Sequence, residues 1–537
     1  MSAECYPISV LPHISRLYGE YLAMAEHTQD ATLRRWYGSE PMSGGWMGHE
    51  VAVAHAGALA DALGGQAERF GAGPIQLANI EKLRAGARAV VTGQQVGLFG
   101  GPLLTLLKAA TAVARAGEAT RRTGVEHVPV FWLATEDHDL AEVDRVALPG
   151  KTTLETLTLG LANDGAEVGG LALGEGVRAV LEQLNELLGY GPVCDLLGEC
   201  YVPGETLGGA FARWMTKVFA GHGVIVMDAA GREFHRLGAG ALRAAIERAR
   251  ELEDALLART RELETAGYHA QVLVKAGGSL LFLVGEGGRR EALRRVGEDG
   301  WKAGARSYAT SELLEILDRE PERLSPNALL RPVFQDTILP TAAYIGGPAE
   351  VAYFAQSAVL YERMMGRVTA VLPRLSVTLI EPTIAAVMAK DEVSLKDVFE
   401  AKTVETLTQR LGARSMPIEG KRRLAAVGNA MNTELTALTE YLAAMDESLG
   451  RSATVSASKM RYQMNRLRRM AATFEVQKEA SLGKHAGAMM LHLFPDGQPQ
   501  ERVVAGVWFL AQGGMELVDR LVEEAGEMCL GHGVVKM

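Results

Sequence analysis

The hydrophobic pattern is most informative between Ala87 and Asp139. Ala87 to Val91 is a short apolar run bounded by turn residues, which predicts a buried strand. A loop carrying Gly93, Gly97, Gly100 and Gly101 follows. Pro102 then stands at the expected first helical position, where its fixed φ and missing N–H are tolerated. Beyond it Leu103, Leu106, Leu107, Ala110, Val113 and Ala114 recur at helical spacing. Val128 to Leu133 is apolar without alternation, as in a strand covered on both faces, and it ends in Ala134-Thr135-Glu136-Asp137-His138-Asp139. Strand, glycine-rich loop, helix and strand make one unit of an α/β parallel sheet.

The same reading divides the rest of the chain. Residues 1–85 are expected to be a mainly helical part of the core, with the Ala-rich stretch Val51 to Leu63 ending at Gly64-Gly65. Residues 86–150 carry the first half of the core. Residues 151–204 alternate short apolar segments with glycines and read as an insertion. Residues 205–239 return to the core through a helix, Glu205 to Phe219, and a strand, Gly223 to Asp228. Residues 240–325 read as a second insertion. It holds a charged helix, Arg243 to Glu264, and a hairpin in which Gln271–Val274 and Ser279–Val284 flank Gly277-Gly278. A helix bearing Arg289, Arg290, Arg294 and Arg295 follows. Residues 326–387 form the second half of the core. There Leu329 to Ile345 leads into Gly346-Gly347-Pro348 at another helix start, with short strands at Val368–Leu372 and Ser376–Ile380.

From 388 to 485 the period changes again. Leu424, Val427, Met431, Leu435, Leu438, Leu442, Met445 and Leu449 step by threes and fours with one stutter. Met460, Met464, Leu467, Ala471 and Phe474 continue on a second helix after a break at Gly450–Ser456, which predicts an antiparallel coiled-coil arm. Residues 486–537 are expected to add a strand, Val503 to Leu510, and a closing helix packed on the core.

Bulk properties narrow the function class. A chain of 537 residues is too long for one core. Its 48% hydrophobic and 22% charged content is that of a globular protein, and its net charge of −10 argues against nucleic acid or an anionic membrane as partner. The first residues lack a basic stretch followed by an apolar one, and no run of 18 apolar residues occurs, so neither a signal peptide nor a membrane span is expected. The four cysteines, Cys5, Cys194, Cys200 and Cys529, have no zinc-site spacing and read as free thiols in a reducing cytoplasm.

In an open parallel sheet the ligand crevice lies outside the carboxyl ends of the strands. There the helix start at Gly101-Pro102, with Thr105 and Lys108, offers donors for an anion, and Gln94 and Gln95 offer donors and acceptors. Glu136, Asp137 and His138 are the catalytic candidates, with His138, flanked by Asp137 and Asp139, as a general base. No metal is expected, because adjacent residues seldom converge on one ion. Asp228, at the end of a third strand, reads as a helix cap or a ribose partner. Neither the dinucleotide fingerprint nor the P-loop is present, nor the signature pairs of class I aminoacyl-tRNA synthetases. The residues by themselves reach an α/β enzyme that binds a nucleotide or another anion.

Four motifs carry a resemblance. They are Thr92-Gly93-Gln94-Gln95-x-Gly97-Leu98-x-x-Gly101-Pro102-x-x-Thr105-x-x-Lys108; Pro129-Val130-Phe131-Trp132-x-Ala134-x-Glu136-Asp137-His138-Asp139; Ser325-Pro326-Asn327 through Arg331-Pro332, Gln335-Asp336, Pro340-Thr341 and Gly346-Gly347-Pro348-x-Glu350-x-x-Tyr353; and Gln500-Glu501-Arg502-Val503. In this order they resemble the bacillithiol biosynthesis cysteine-adding enzymes over nearly the whole chain. The resemblance implies a Rossmann-like core with inserted segments and a coiled-coil arm that makes a homodimer. It also implies a reaction joining the carboxyl of cysteine to the amine of glucosaminyl-malate. Activating a free carboxylate calls for ATP, through an adenylate or an acyl phosphate. Asn327, Arg331, Gln335, Gly346, Gly347, Glu350 and Tyr353 enter as binding candidates through the resemblance, and Arg374 through its charge and position. Another carboxylate–amine ligase, a nucleotidyl transferase, or a non-catalytic assembly protein built on the arm remain alternatives.

Overall fold

The computed structural model describes residues 4–24, 31–37, 42–163, 165–285, 288–479 and 481–537. The chain divides into two compact units. The first comprises Met1–Gly150, Glu155–Thr378 and Glu501–Val535, and the second is mainly Leu379–Gln500.

The first unit is built on five parallel strands: β1 (Arg88–Gln94), β2 (His127–Leu133), β3 (Ile225–Asp228), β4 (Thr341–Gly346) and β5 (Ala370–Pro373). Their spatial order is β5-β4-β1-β2-β3. The chain therefore moves outward from β1 to β3, then returns to the other side of β1 for β4 and β5. This reversal is the doubly wound, Rossmann-like arrangement, and it opens a crevice between the carboxyl ends of β1 and β4. Helix α1 (Leu104–Thr123) covers the sheet, with Ala112, Ala116 and Ala119 packed on Val90, Ala343, Ile345 and Leu372. Small side chains on that face let the helix lie close to the β-branched surface.

Three more helices position the site: α2 (Arg232–Glu247), α3 (Arg331–Ile338) and α4 (Pro348–Met364). Gly238 on α2 faces the Phe334 ring of α3, and a Cβ there would meet Cε2 at 2.2 Å. The absent side chain is what brings these two helices together. An antiparallel sheet of five strands, ordered 306–309, 300–303, 290–296, 278–284 and 324–326, completes the unit.

The strands expected at Ala87–Val91, Val128–Leu133, Gly223–Asp228, Val368–Leu372, Ser376–Ile380 and Ser279–Val284 are found with their ends within three residues. Other expectations are corrected. Helix α1 begins at Leu104, not Pro102, because Pro102 forms a bridge to Ala505. The helix Ala56–Phe70 runs through Gly64-Gly65, which are tolerated where nothing crowds them. The helix expected over 243–264 is two helices, α2 and Ala249–Thr265. Gly277-Gly278 does not turn a hairpin: Gln271–Val274 is not a strand, and Gly278–Val284 pairs instead with Arg290–Val296, so Arg290, Arg294 and Arg295 lie on a strand and not on a helix. Val503–Leu510 is helical over Gly506–Gly513, since local apolar content alone does not distinguish a buried helix from a strand.

Cys5 and Cys529 form a disulfide, against the expectation of free thiols. Strand Glu4–Tyr6 pairs antiparallel with His532–Lys536, placing Cys5 opposite Gly533, a proximity that sequence spacing cannot reveal. Cys194 and Cys200 are free and buried.

In the second unit, α5 (Ile418–Met445) and α6 (Glu447–Lys478) form the antiparallel arm. The turn falls at Asp446, whose carboxylate accepts from the N–H groups of Ser448 and Leu449, and not at Gly450–Ser456. Gly450 is instead a contact glycine, where a Cβ would come within 2.6 Å of Ala443 Cβ. Leu435, Ala457, Met464 and Ala472 are buried in the arm, whereas Leu438, Tyr441, Met445, Met460, Leu467 and Phe474 are exposed. Among the described residues no helix is long and apolar enough to cross a membrane.

The disulfide spans 524 residues of sequence, so it removes many unfolded conformations. Reduction should lower stability by about 2–4 kcal/mol. Thermal unfolding with and without reductant measures this. Equal midpoints would show that the paired terminal strands hold without it.

Candidate functional site

The carboxyl ends of the strands carry two chemically opposite groups of side chains. The first lies at the crevice between β1 and β4. Lys108 on α1 is buried, and its Nζ donates to Gly93 O at 2.8 Å and to Gln94 Oε1 at 2.8 Å, with Glu350 Oε2 at 2.6 Å. An ammonium has three protons to donate, so Lys108 is saturated by the protein itself. Glu350, in the first turn of α4, also accepts from Gly347 N–H and the Tyr344 hydroxyl. Burial works against this carboxylate. Lys108 and those two donors outweigh it and hold its pKa below the ordinary value.

Beside this pair stands Arg331, at the start of α3. It donates to Tyr353 Oη at 2.7 Å, to Tyr344 Oη at 3.2 Å and to Gln335 Oε1 at 3.2 Å. All three acceptors are neutral. Arg331, Tyr353, Gln94 and Glu350 are half-buried and form the accessible rim. Beneath them Arg374 donates to Leu375 O and to Glu501 Oε1, the latter at 2.6 Å, in a fully buried ion pair. Glu501 also accepts from Val377 N–H and the Ser376 hydroxyl. Ser376 and Thr378 clasp the two ring nitrogens of His532 at 2.9 and 2.8 Å.

The second group lies at the ends of β2 and β3. Glu136 turns inward onto His235 of α2, with Oε1 at 2.9 Å from Nε2, while Nδ1 faces Pro321 O at 3.1 Å. Both ring nitrogens face oxygen acceptors, which suits an imidazolium paired with a carboxylate. Burial opposes that charge, but Glu136 overrides it and raises the His235 pKa. Thr135 Oγ1 donates to Asp228 Oδ1 at 2.5 Å. Asp228 also accepts from Ala230 N–H, a turn-capping role. Gln95 Nε2 donates to Asp137 Oδ2 at 2.7 Å. Glu167, from the segment read as an insertion, and Arg290, from the antiparallel sheet, complete the group.

Several expected ligand groups have other employment. Thr92 Oγ1 donates to Ile345 O and ties β1 to β4. A Cβ on Gly93 would meet Trp132 O at 2.9 Å, and one on Gly97 would meet Gly101 Cα at 3.0 Å, so these glycines serve close backbone approach. The helix start expected to bind an anion is closed by the chain itself. Leu103 N–H donates to Val504 O, Gly101 N–H to Leu98 O and Thr105 N–H to Pro102 O. Thr105 is fully buried. Asn327 fixes the turn before α3 by accepting from Leu329 and Leu330 N–H. Gln335 is buried, holding Arg331 and Asp336. Gly346 and Gly347 make the turn over Arg374, with Gly347 N–H spent on Glu350.

The catalytic trio is split. Glu136 faces His235, Asp137 faces Gln95, and His138 is half exposed with Nδ1 3.6 Å from Asp137 Oδ1. Asp139 is exposed. The sequence reading missed His235, Glu167, Tyr344, Arg290 and Glu501 as site residues. Glu501 had a signal as part of the fourth motif, and Arg290 as a member of the arginine cluster.

Comparison with known proteins agrees over the full length. Residues 5–375 match the family described as "Bacillithiol biosynthesis BshC, N-terminal Rossmann-like domain", and residues 377–537 match "Bacillithiol biosynthesis BshC, C-terminal coiled-coil domain". A protein of Koribacter versatilis named "Putative cysteine ligase BshC" is 41% identical over 543 residues, covering 100% of both chains. Its namesake in Solibacter usitatus is 34% identical over 542 residues, again 100% of both. That of Geobacillus kaustophilus is 29% identical over 480 residues, 86% of this chain and 87% of the other.

The His532 clasp gives a pH prediction. Burial pushes this histidine down to about 4 from 6.5. The unfolded chain therefore binds more protons between those values, so stability is full above about pH 6.5 and falls as the pH drops toward 4. The loss should approach about 3 kcal/mol at the acid end. Denaturant unfolding from pH 7 to 4 measures it, and His532→Gln should flatten that part of the profile. An unchanged slope in the variant would assign the acid sensitivity elsewhere.

Proposed function

Because this chain belongs to the BshC family of bacillithiol biosynthesis, we propose that it is a cysteine ligase joining the carboxyl of L-cysteine to the amine of glucosaminyl-malate. The observation that carries this reading is the division of charge along the sheet edge. Between β1 and β4, Lys108, Arg331 and Arg374 stand against Glu350 and Glu501, one positive charge in excess. At the ends of β2 and β3, Glu136, Asp137, Glu167 and Asp228 stand against His235 and Arg290. Adjacent strands are about 5 Å apart, so the two groups lie within the span of one small molecule. An amide-forming enzyme must hold a carboxylate or phosphate beside an ammonium, and this edge favours each at one end.

Arg331 fits the anion. Its planar fork is held by neutral oxygens, so a carboxylate or phosphate would add the charge it lacks. A nucleoside triphosphate, ATP in this reading, supplies the activation that a free carboxylate needs. The Arg331 rim is where its phosphates, or the malate carboxylates, would be held. The closed Gly97–Gly101 loop is not. His138, exposed at the end of β2, contacts the bound substrate from the rim.

The arm joins two copies of the chain in this proposal. Met460, Leu467 and Phe474 repeat every seven residues on the exposed side of α6, beside exposed Leu438, Tyr441 and Met445 on α5. A seven-residue apolar period on an outer face suits a further helix. Leu442 is half-buried inside the arm, so Leu438 and Tyr441 are the residues to change. Leu438→Asp with Tyr441→Asp should shift sedimentation from dimer to monomer without loss of helicity. A double variant that sediments as the parent does would exclude this face.

The reaction is tested by following amide formation from cysteine, glucosaminyl-malate and ATP, omitting each in turn. Product should require all three. Arg331→Met should raise the KM of the anion it holds by about 10–100-fold, the loss of one charged hydrogen-bonded contact. Product formed without a nucleotide would refute the activation step. Consumption of ATP only with a different amine would make this another carboxylate–amine ligase.

A further inference from the structure

Glu167 is held against the end of β2 by backbone alone. Val168 N–H donates to Asp137 O at 2.7 Å, and Gly169 N–H donates to Thr135 O at 3.0 Å. On the other side Arg290 N–H donates to Gly165 O at 3.0 Å. These clasps flank Glu167 and set it beside Glu136. Gly169 is required there, since a Cβ would lie 2.4 Å from Thr135 Cβ. Among the described residues, Oε1 of Glu167 is shielded from solvent and accepts no hydrogen bond. The residue as a whole is only half-buried, so a ligand can approach it.

Its neighbour Glu136 is in the opposite condition. The buried His235 ring, with both nitrogens on acceptors, fixes Glu136 as an oriented carboxylate. Two carboxyl groups sit side by side, one compensated by a cation and one lacking a donor on an oxygen. Such a pair divides into a carboxylate that holds a cation and a proton acceptor.

We propose that Glu167 is the general base that deprotonates the substrate ammonium, that Glu136 is the counter-ion holding that ammonium, and that His235 is a positioning residue for Glu136. This deepens the ligase reading and rests on it. The Glu167 carboxylate takes one proton from the ammonium, freeing the nitrogen lone pair. The nitrogen bonds to the activated cysteine carboxyl carbon. The bond from that carbon to its leaving oxygen breaks, and the leaving group departs with the electron pair and takes the second amine proton. The activation comes from the nucleoside triphosphate of that reading.

The electrostatics agree with the geometry. Burial, then the Glu136 charge, push the Glu167 carboxyl up to about 7, with Asp228 adding to the shift and Arg290 and His235 opposing it. A base with that value is ionised in part of the population at neutral pH and strong enough to take an amine proton.

The test compares purified full-length variants in the three-substrate assay. Glu167→Gln should lower kcat about 10²–10⁴-fold, the usual contribution of a general base, with the KM of the amine substrate changed less than about threefold. In the parent, kcat should fall tenfold per pH unit below about pH 7. That limb should vanish in Glu167→Gln and persist in His138→Asn, whatever the rate of the latter. His235→Gln should act mainly on the amine KM, because it loosens the counter-ion and leaves the base. Circular dichroism and a binding isotherm for glucosaminyl-malate check that each variant folds, and Glu167→Asp, with the shorter carboxylate, should restore part of the rate. Glu167→Gln with kcat within threefold of the parent and an unchanged acid limb would overturn the proposal. So would His138→Asn abolishing the limb, which would give the role to His138. A parent enzyme that makes no amide from any combination overturns the ligase reading and this role with it. A parent that makes amide while Glu167→Gln is unaffected overturns only the role.

Discussion

Two opposite charges, Arg374 and Glu501, are buried together beneath the crevice between β1 and β4, and much of the site depends on their staying paired. Arg374 follows β5, and Glu501 arrives from a segment 127 residues later. Taking either charge out of water is costly, so loss of one partner would leave the other uncompensated, an effect of about 3–5 kcal/mol. The pairing also fixes what lies above it. Arg374 N–H donates to Gly346 O, and its side chain runs under Gly347, whose N–H binds Glu350. Glu350 in turn holds Lys108, and Lys108 holds the end of β1. From Glu501 to Gln94 the structure is one continuous chain of ionic and hydrogen-bonded contacts.

That chain explains why Lys108 and Arg331, both cations at one crevice, have different duties. Every Lys108 proton has an acceptor within the protein, which makes it a brace. Arg331 donates only to hydroxyl and amide oxygens. A phenol or amide oxygen satisfies the donor without neutralising the charge, so the attraction for an anion is retained. Gln94 and Gln95 extend this economy across the edge. One side chain is committed to Lys108 and the next to Asp137, so neighbouring residues of one turn link the cationic and acidic ends.

The core was legible in the sequence because it obeys period and punctuation. β2, with its unbroken apolar run, and α1, with its helical spacing, could be placed within a few residues. The glycine-rich loop was legible as a turn but not as a site, since nothing local announces that Val504 would take the Leu103 N–H. The trio Glu136, Asp137 and His138 was correctly located at a strand end, yet adjacent residues on an irregular turn point different ways. The partner of Glu136 is 99 residues away on α2. Glu167 was harder still, because its segment has no periodicity and its character comes from burial and a neighbouring charge. Single-residue features of this kind arise from tertiary contact, and a local pattern cannot encode them.

The Cys5–Cys529 bond gives the molecule a topology that its linear sequence conceals. With these two residues joined, all but four residues at one end and eight at the other belong to a covalent ring. The second unit, arm included, is a stretch of that ring which leaves the first unit after Thr378 and returns to it before Glu501. A single backbone cut anywhere between the two cysteines opens the ring but does not divide it. Nicked molecules would keep both pieces attached and separate only after reduction. Damage to a connecting segment thus becomes a change of chain topology rather than a loss of half the protein.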